Sequence, residues 1–176
     1  SIIRISGKDA FFIADSIFVS KKGNKKISEQ KSHTMHYGMI MENDVPVDEV
    51  LVSVMKAPNT YTAENIVEIN CHGGMIVTKK ILELVLRTGA RIAEPGEFTK
   101  RAFLNGRIDL SQAEAVIDLI HATNEQAVKN SVRQLNGNFC RKIKEIRDVV
   151  LRDTAFIEAA LDDPEHISLD GFTDTL

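Results

Sequence analysis

The chain has 176 residues, of which 43% are apolar, and 22 Lys and Arg against 25 Asp and Glu give a formal net charge of −3. This length fits one domain, or one domain plus part of another, and the apolar share excludes global disorder. The negative balance argues against a generic phosphate-binding surface, which needs clustered cations.

Residues 1–5 are apolar and β-branched and stop at Ser6-Gly7, the pattern of a strand. Apolar residues at 10, 13, 14, 17 and 18 predict an amphipathic helix over 10–18. A polar loop around Gly23-Asn24 follows over 21–31. Strands are expected over 34–41 and 47–55, turning at Glu42-Asn43-Asp44, and then a loop over 56–64. Residues 66–72 alternate: Val67, Ile69 and Cys71 share one face, and Glu68, Asn70 and His72 share the other. Gly73-Gly74 breaks this strand, and a helix is predicted over 75–88 with Gly89 as its C-cap. A short strand over 91–93 would then complete a strand–helix–strand crossover in an α+β domain.

Residues 94–110 are turn-rich and polar and are expected to contribute little to a core. Such segments, held between ordered elements, are where binding residues tend to sit. Ser111 with Glu114, and Thr123 with Gln126, read as capping boxes. The first starts a short helix running to about 122. Behind the second, apolar spacing over 127–161 predicts one long helix, weakened or bent by about 1 kcal/mol at Asn136-Gly137 and ended by Pro164. A helix of that length cannot bury its apolar stripe alone. It calls for a second copy or for parts outside this chain. The domain boundary is placed near Leu110, giving domains 1–110 and 111–176.

Lys21, Lys22, Lys25, Lys26 and Lys31 form a basic run, and Glu158, Asp162, Asp163, Glu165, Asp170 and Asp174 make the tail acidic. Both read as solvated surface. Cys71 and Cys140 are no disulfide framework and fit a reducing compartment. No apolar run reaches the roughly 18 residues of a membrane span, and no signal peptide is visible. The chain therefore reads as cytosolic, without a membrane partner. It opens at Ser1 without an initiator Met, so the native N-terminus is expected to lie upstream.

Ser6-Gly7-Lys8-Asp9 lacks the earlier glycine and the hydroxyl of a phosphate-binding loop, and no other Gly-Lys-Ser/Thr exists. His33, His36, Cys71 and His72 do not make the paired spacings of a zinc site. Three positions stay open between a surface role and a binding role. Glu68, Asn70 and His72 form either an exposed sheet face or a polar pocket wall, whose carboxylate could pair with neighbouring N–H donors of a flat heterocycle. Gly73-Gly74 offers backbone N–H groups to an anion. Arg4, inside an apolar strand, is an edge residue with an exposed head or a fixed cation for a carboxylate ligand. Arg107 follows the Asn105-Gly106 turn and is either a surface cation or presented to a ligand.

Arg4-Ile5-Ser6-Gly7, the run from Val67 to Gly74 and the run from Glu94 to Ala115 together resemble the N-terminal portion of the MnmE (TrmE) family of tRNA modification GTPases. The resemblance covers essentially the whole chain. It implies an N-terminal α+β domain similar to the tetrahydrofolate-binding domain of glycine-cleavage-type folate enzymes, then a helical domain into which a Ras-like G domain is inserted. It further implies homodimerisation, binding of 5-formyltetrahydrofolate, and modification of the tRNA wobble uridine at carbon 5, of the carboxymethylaminomethyl type. The implied partner is the FAD-dependent MnmG (GidA). GTP hydrolysis with K+ and Mg2+ would drive the cycle in the cytoplasm, at sites not in this chain.

The family's folate-contacting positions fall on Arg4, Glu68 and Arg107, with Asn70, His72 and Gly73 beside them. Glu68 would accept N–H donors of the pterin, and the arginines would balance carboxylates or polarise carbonyls. The family's Thr-Pro and Gly-rich segment before the first Arg, its G domain and its C-terminal Cys motif are absent here, and Asp163 stands where relatives have an aromatic. The competing expectation is a purely structural dimerisation scaffold that positions a G domain. A free-standing folate-dependent aminomethyltransferase fits less well, because the half from Ser111 onward resembles the GTPase family.

Overall fold

Alternation along the strands decides which way this sheet faces. In the computed structural model, which describes residues 1–21, 23 and 25–166, five strands form one antiparallel sheet in the order β1-β5-β4-β3-β2. They are β1 (Ile2–Ser6), β2 (Phe18–Ser20), β3 (Thr34–Glu42), β4 (Val45–Met55) and β5 (Ile66–Asn70). Lys22 and Asn24 of the polar loop, and Asp170 and Asp174 of the acidic tail, lie outside the described residues. Two units result, Ser1–Ile108 and Asp109–Leu176.

In the first unit, cross-strand neighbours sort cleanly by face. Ile3, Ile69 and Val52 run side by side across β1, β5 and β4, and all are buried. Helices α1 (Ala10–Ile17) and α2 (Met75–Arg87) bring Ala10, Ile13, Ala14, Ile17, Ile81, Leu84 and Val85 to the same core. Burying a side chain such as Ile69 or Ile81 stabilises the fold by about 1.5–3 kcal/mol. The opposite face carries two other rows. One is Ile2, Asn70, Leu51 and Tyr37; the next is Arg4, Glu68, Ser53 and Met35. Ile2, Leu51, Tyr37 and Met35 remain exposed there.

The β3–β4 hairpin closes on Asn43 and Asp44, both at positive φ, as a two-residue turn matched to strand twist requires. The strand expected over 91–93 does not form. The sheet ends at β1, and a strand without a ladder partner is not stable. Arg91 is engaged instead by Glu97. The crossover falls at the start of the chain: β1 and β2 run the same way at opposite edges and are joined through α1. The three-residue β2 was not signalled by the sequence, because the helical pattern of 10–18 runs into it.

Residues 94–110 contribute more than expected. They contain helix α3 (Glu97–Leu104), with Ala102 fully buried and Ile108 buried behind it. Its eight residues are too short for a clear apolar period.

In the second unit, α4 (Leu110–Ile120) is capped by Asp109, two residues before the expected cap Ser111. Asp109 accepts the backbone N–H of Gln112, and the Gln112 side chain accepts the backbone N–H of Asp109, at 2.9 Å each. Asp109 wins over Ser111 because a carboxylate holds the orphan donors more strongly. Asn124, not Thr123, caps α5 (Glu125–Leu135). The long helix is two: Gly137 takes φ 73°, ends α5 and starts α6 (Asn138–Asp162). Gln112 Nε2 donates to the Leu135 carbonyl and Gln134 Nε2 to the Ser111 carbonyl, which ties α4 to α5.

Candidate ligand-binding site

Arg4 and Glu68 are direct cross-strand partners on the open face, 64 positions apart in the chain. Arg4 Nε and Nη2 both lie 2.6 Å from Glu68 Oε1. Glu68 Oε2 has no protein donor among the described residues. The Glu68 side chain is 21% exposed and that of Arg4 42%, so the carboxylate is sheltered and its guanidinium partner is half in solvent. The Arg4 guanidinium also lies 5.6 Å from the centroid of the Phe98 ring.

The position of Arg107 follows from the end of α3. Gly106 N–H donates to the Phe103 carbonyl and Arg107 N–H to the Ala102 carbonyl, each at 2.9 Å, with Gly106 at φ 72°. This double closure of a helix end needs a left-handed residue, which glycine adopts freely. Arg107 is thereby placed over the Tyr61 ring, 5.0 Å from its centroid. The Tyr61 hydroxyl meets the Thr99 hydroxyl at 3.0 Å, and Asn105 Nδ2 donates to the Thr62 carbonyl at 2.6 Å. Helix α3 thus touches both arginines, Arg4 through Phe98 and Arg107 through the 56–65 loop.

A charged network missed by sequence reasoning holds this corner. The Ser6 hydroxyl donates to Glu64 at 2.7 Å. Arg101 bridges Glu64 at 3.0 Å and Glu97 at 2.7 Å. Glu97 also binds Arg91 and accepts the Glu94 backbone N–H at 2.9 Å. Arg91 first, then the Glu94 N–H and Arg101, hold the Glu97 carboxyl far below the usual carboxylate range. The one local signal for this network was the Glu97–Arg101 spacing of four.

The other expected positions lie apart from this corner. Asn70 Nδ2 reaches the Leu51 carbonyl at 3.4 Å, and the His72 ring is held by Asp48 at 2.7 Å, its backbone N–H donating to the same carboxylate. Both line a depression of about 450 Å³ with Ile2 and Tyr37. Gly73 is exposed, just beyond the strand end. A deeper cavity of about 510 Å³ lies along β1, lined by Arg4, Lys8, Phe98, Arg91 and Arg101, but not by Glu68 or Arg107. Among the described residues, no cluster of His, Cys, Asp and Glu is arranged to hold a metal, and no helix is long and apolar enough to cross a membrane.

The geometry defines an antiparallel α+β unit, carrying a carboxylate–arginine pair and a second arginine stacked on a ring, followed in the chain by a helical unit. Comparison narrows the class. Residues 1–107 match the profile of the GTP-binding protein TrmE N-terminus, and residues 110–175 that of the MnmE helical domain. The chain belongs to the TrmE/MnmE family. A relative from Lachnoclostridium phytofermentans, "tRNA modification GTPase MnmE", is 64% identical over 176 residues, all of this chain and 38% of the relative. Proteins of the same name from Acetivibrio thermocellus and Listeria welshimeri are 58% and 51% identical over 94% and 98% of this chain, and 36% and 37% of their own lengths. The chain therefore spans a little over a third of the relatives it matches.

Proposed function

We propose that this chain is the folate-binding and dimerising part of a tRNA-modifying GTPase, holding 5-formyltetrahydrofolate for modification of the wobble uridine at carbon 5. The observation that carries the reading is a carboxylate, Glu68, bonded to Arg4, with α3 in contact with Arg4 through Phe98 and linked to Arg107 through Thr99 and Tyr61. The donor set suits a reduced folate. A pterin offers adjacent N–H donors that a carboxylate accepts, and the glutamate tail offers carboxylates that a guanidinium binds through its fork. Bound folate supplies a carbon at the formyl level.

The chain's own residues bind and orient it. Glu68 Oε2 is open to a ligand N–H, while Arg4 fixes the carboxylate's direction through Oε1. Arg107, on its Tyr61 platform, is a cation of restricted orientation for the tail or a carbonyl. Asn70, His72 and Gly73 are subsidiary positions on the same side. In this reading, residues 1–110 form the tetrahydrofolate-binding domain and 111–176 begin the helical domain. GTP, K+ and Mg2+ act on parts of the protein beyond this chain. The partners are a second copy, the FAD-dependent MnmG (GidA) and tRNA, in the cytoplasm.

The second reading is a dimerisation scaffold without ligand, favoured by the exposed row of Ile2, Leu51 and Tyr37 beside a carboxylate already paired with Arg4. Calorimetric titration with 5-formyltetrahydrofolate decides between them. The folate reading expects one ligand per chain and an affinity loss of about tenfold or more in Glu68→Ala, the size of one lost charged hydrogen bond. A folded dimer that takes up no folate favours the scaffold.

A further inference from the structure

Asp48, which no local pattern singles out, makes His72 more than a free surface histidine. Asp48 Oδ2 accepts the His72 backbone N–H at 2.9 Å, and Oδ1 lies 2.7 Å from the ring Nδ1. Oδ1 also accepts the Glu49 backbone N–H at 2.9 Å. A carboxylate only accepts, so Nδ1 carries a proton and Nε2 is the atom that gains or loses one. The Asp48 side chain is 10% exposed and that of His72 73%. A sheltered carboxylate thus fixes an open ring through both backbone and side chain. Nε2 has no protein partner among the described residues.

The ring stands at the depression of about 450 Å³ that Asn70, Ile2 and Tyr37 also line. On the open sheet face, the row of Asn70 is next to the row of Glu68. The extended chain continues past β5, because the Cys71 backbone N–H donates to the Ser1 carbonyl. Four extended residues set the Cα atoms of Glu68 and His72 about 13 Å apart. That span admits a two-ring heterocycle between the side chains. In a reduced pterin the N–H donor edge belongs to one ring, and N5, which bears the formyl group, to the other.

We infer that His72, protonated at Nε2, donates to the formyl oxygen of bound 5-formyltetrahydrofolate, and that Asp48 is the positioning residue that aims the ring. This rests on the folate reading above and deepens it: Glu68 recognises the pterin and His72 the one-carbon unit. Unsubstituted tetrahydrofolate has no carbonyl at N5 for the ring to meet. The other titratable groups of the depression are Glu49, Tyr37 and the Ser1 amino group. Lys21 binds Glu49 and lies over the Tyr37 ring, and the Ser1 ammonium donates to the Cys71 carbonyl. Each of these is already engaged, which leaves Nε2 to respond to a ligand. A ligand that prefers the charged ring takes up a proton on binding, so its affinity falls as pH rises.

The test is calorimetric titration of the full chain with 5-formyltetrahydrofolate and with unsubstituted tetrahydrofolate. Titrations run between about pH 6 and about pH 8.5, in buffers of differing ionisation enthalpy, which count the protons taken up on binding. Wild type, His72→Gln, Asp48→Asn and the control His36→Gln, on the opposite sheet face, are compared. Wild type and control are expected to take up protons with the formyl ligand alone. His72→Gln should take up none and bind the formyl ligand about tenfold weaker at the acid end, the size of one charge-assisted hydrogen bond, with the difference fading at the alkaline end. Asp48→Asn should fall between the two, and all four proteins should bind unsubstituted tetrahydrofolate alike. Three results overturn the inference: binding of the formyl ligand without proton uptake, equal uptake with both ligands, or uptake that persists in His72→Gln. Each leaves the folate reading standing. A wild type that binds neither ligand at any pH defeats that reading, and this inference with it.

Discussion

Glu97 is the residue on which the corner beside the candidate site depends. Its two oxygens take Arg91, Arg101 and the Glu94 backbone N–H, so its carboxyl is held well below its ordinary value of 4.5. A carboxylate stabilised in the folded state contributes fully above its unfolded value and loses that contribution as pH falls through the folded one. We therefore expect Glu97→Gln to lower the melting temperature at neutral pH. The gap from wild type should narrow progressively as pH falls below the ordinary value of 4.5, where the unfolded chain's carboxyl takes up its proton while the folded one stays ionised. Thermal melts across that range check this; a gap that stays constant with pH would mean that Glu97 acts by packing rather than by charge. Glu42 and Asp109, also held low by hydrogen bonds, add their own acid sensitivity to both proteins and cancel in the comparison. Beyond the Glu97–Arg101 spacing of four, nothing local in the sequence announced this network, since Arg101 reaches Glu64 across 37 positions. The Glu68 face, by contrast, was legible, because a period of two places Glu68 and Asn70 opposite Val67 and Ile69 whatever the strand pairs with.

At the level of elements, the sequence was readable where periods were long and opaque where tertiary bonds chose between neighbours. Helix α2 and the β3–β4 hairpin match their patterns within a few residues. Both capping assignments slipped by one or two positions, since Asp109 and Asn124 compete with Ser111 and Thr123 for the same orphan N–H groups. Residues 136–137 were read as a weak point and form a full break, because Gly137 adopts a left-handed conformation that no continuous helix contains. Helix α3 stayed hidden, although its end determines where Arg107 goes. Gly106→Ala tests that dependence. A side chain at φ 72° costs about 1–2 kcal/mol, so either the fold carries that strain or the helix end reopens and moves Arg107 off Tyr61. We expect a melting temperature lower by several degrees, about 4–8 °C per kcal/mol for a domain of this size. Folate affinity should fall in step with that of Arg107→Ala. A Gly106→Ala protein that is destabilised yet binds folate normally would separate helix closure from the site.

Across the whole molecule, two surfaces stand out as unfinished. Along α6, Phe139, Ile143, Ile146, Val150 and Leu161 are exposed, which fits a unit whose relatives run to more than twice this chain's length. On the first unit, the open sheet face places the row of Ile2, Asn70, Leu51 and Tyr37 directly beside the row of Arg4 and Glu68. An apolar patch next to a charged pair suits a protein contact better than bulk water, and larger exposed patches of this kind mark interaction sites. A second copy is the partner that the proposed function calls for. A two-fold contact through this face would bring the same row from each copy together, close to both candidate sites. Dimerisation and ligand binding would then be coupled through one surface. Replacing Leu51 and Tyr37 together by Lys should shift the chain from dimer to monomer in light scattering at micromolar concentration. It should leave the buried core row of Ile3, Ile69 and Val52, and hence the far-ultraviolet spectrum, unchanged. If the face is the interface, folate should also raise the dimer fraction of the wild type, because a ligand that binds the dimer better must shift the equilibrium toward it. Dimers that persist in the Leu51 and Tyr37 variant would move the contact to the α6 stripe. Substituting Ile143 and Ile146 by Lys would then be the variant that dissociates them.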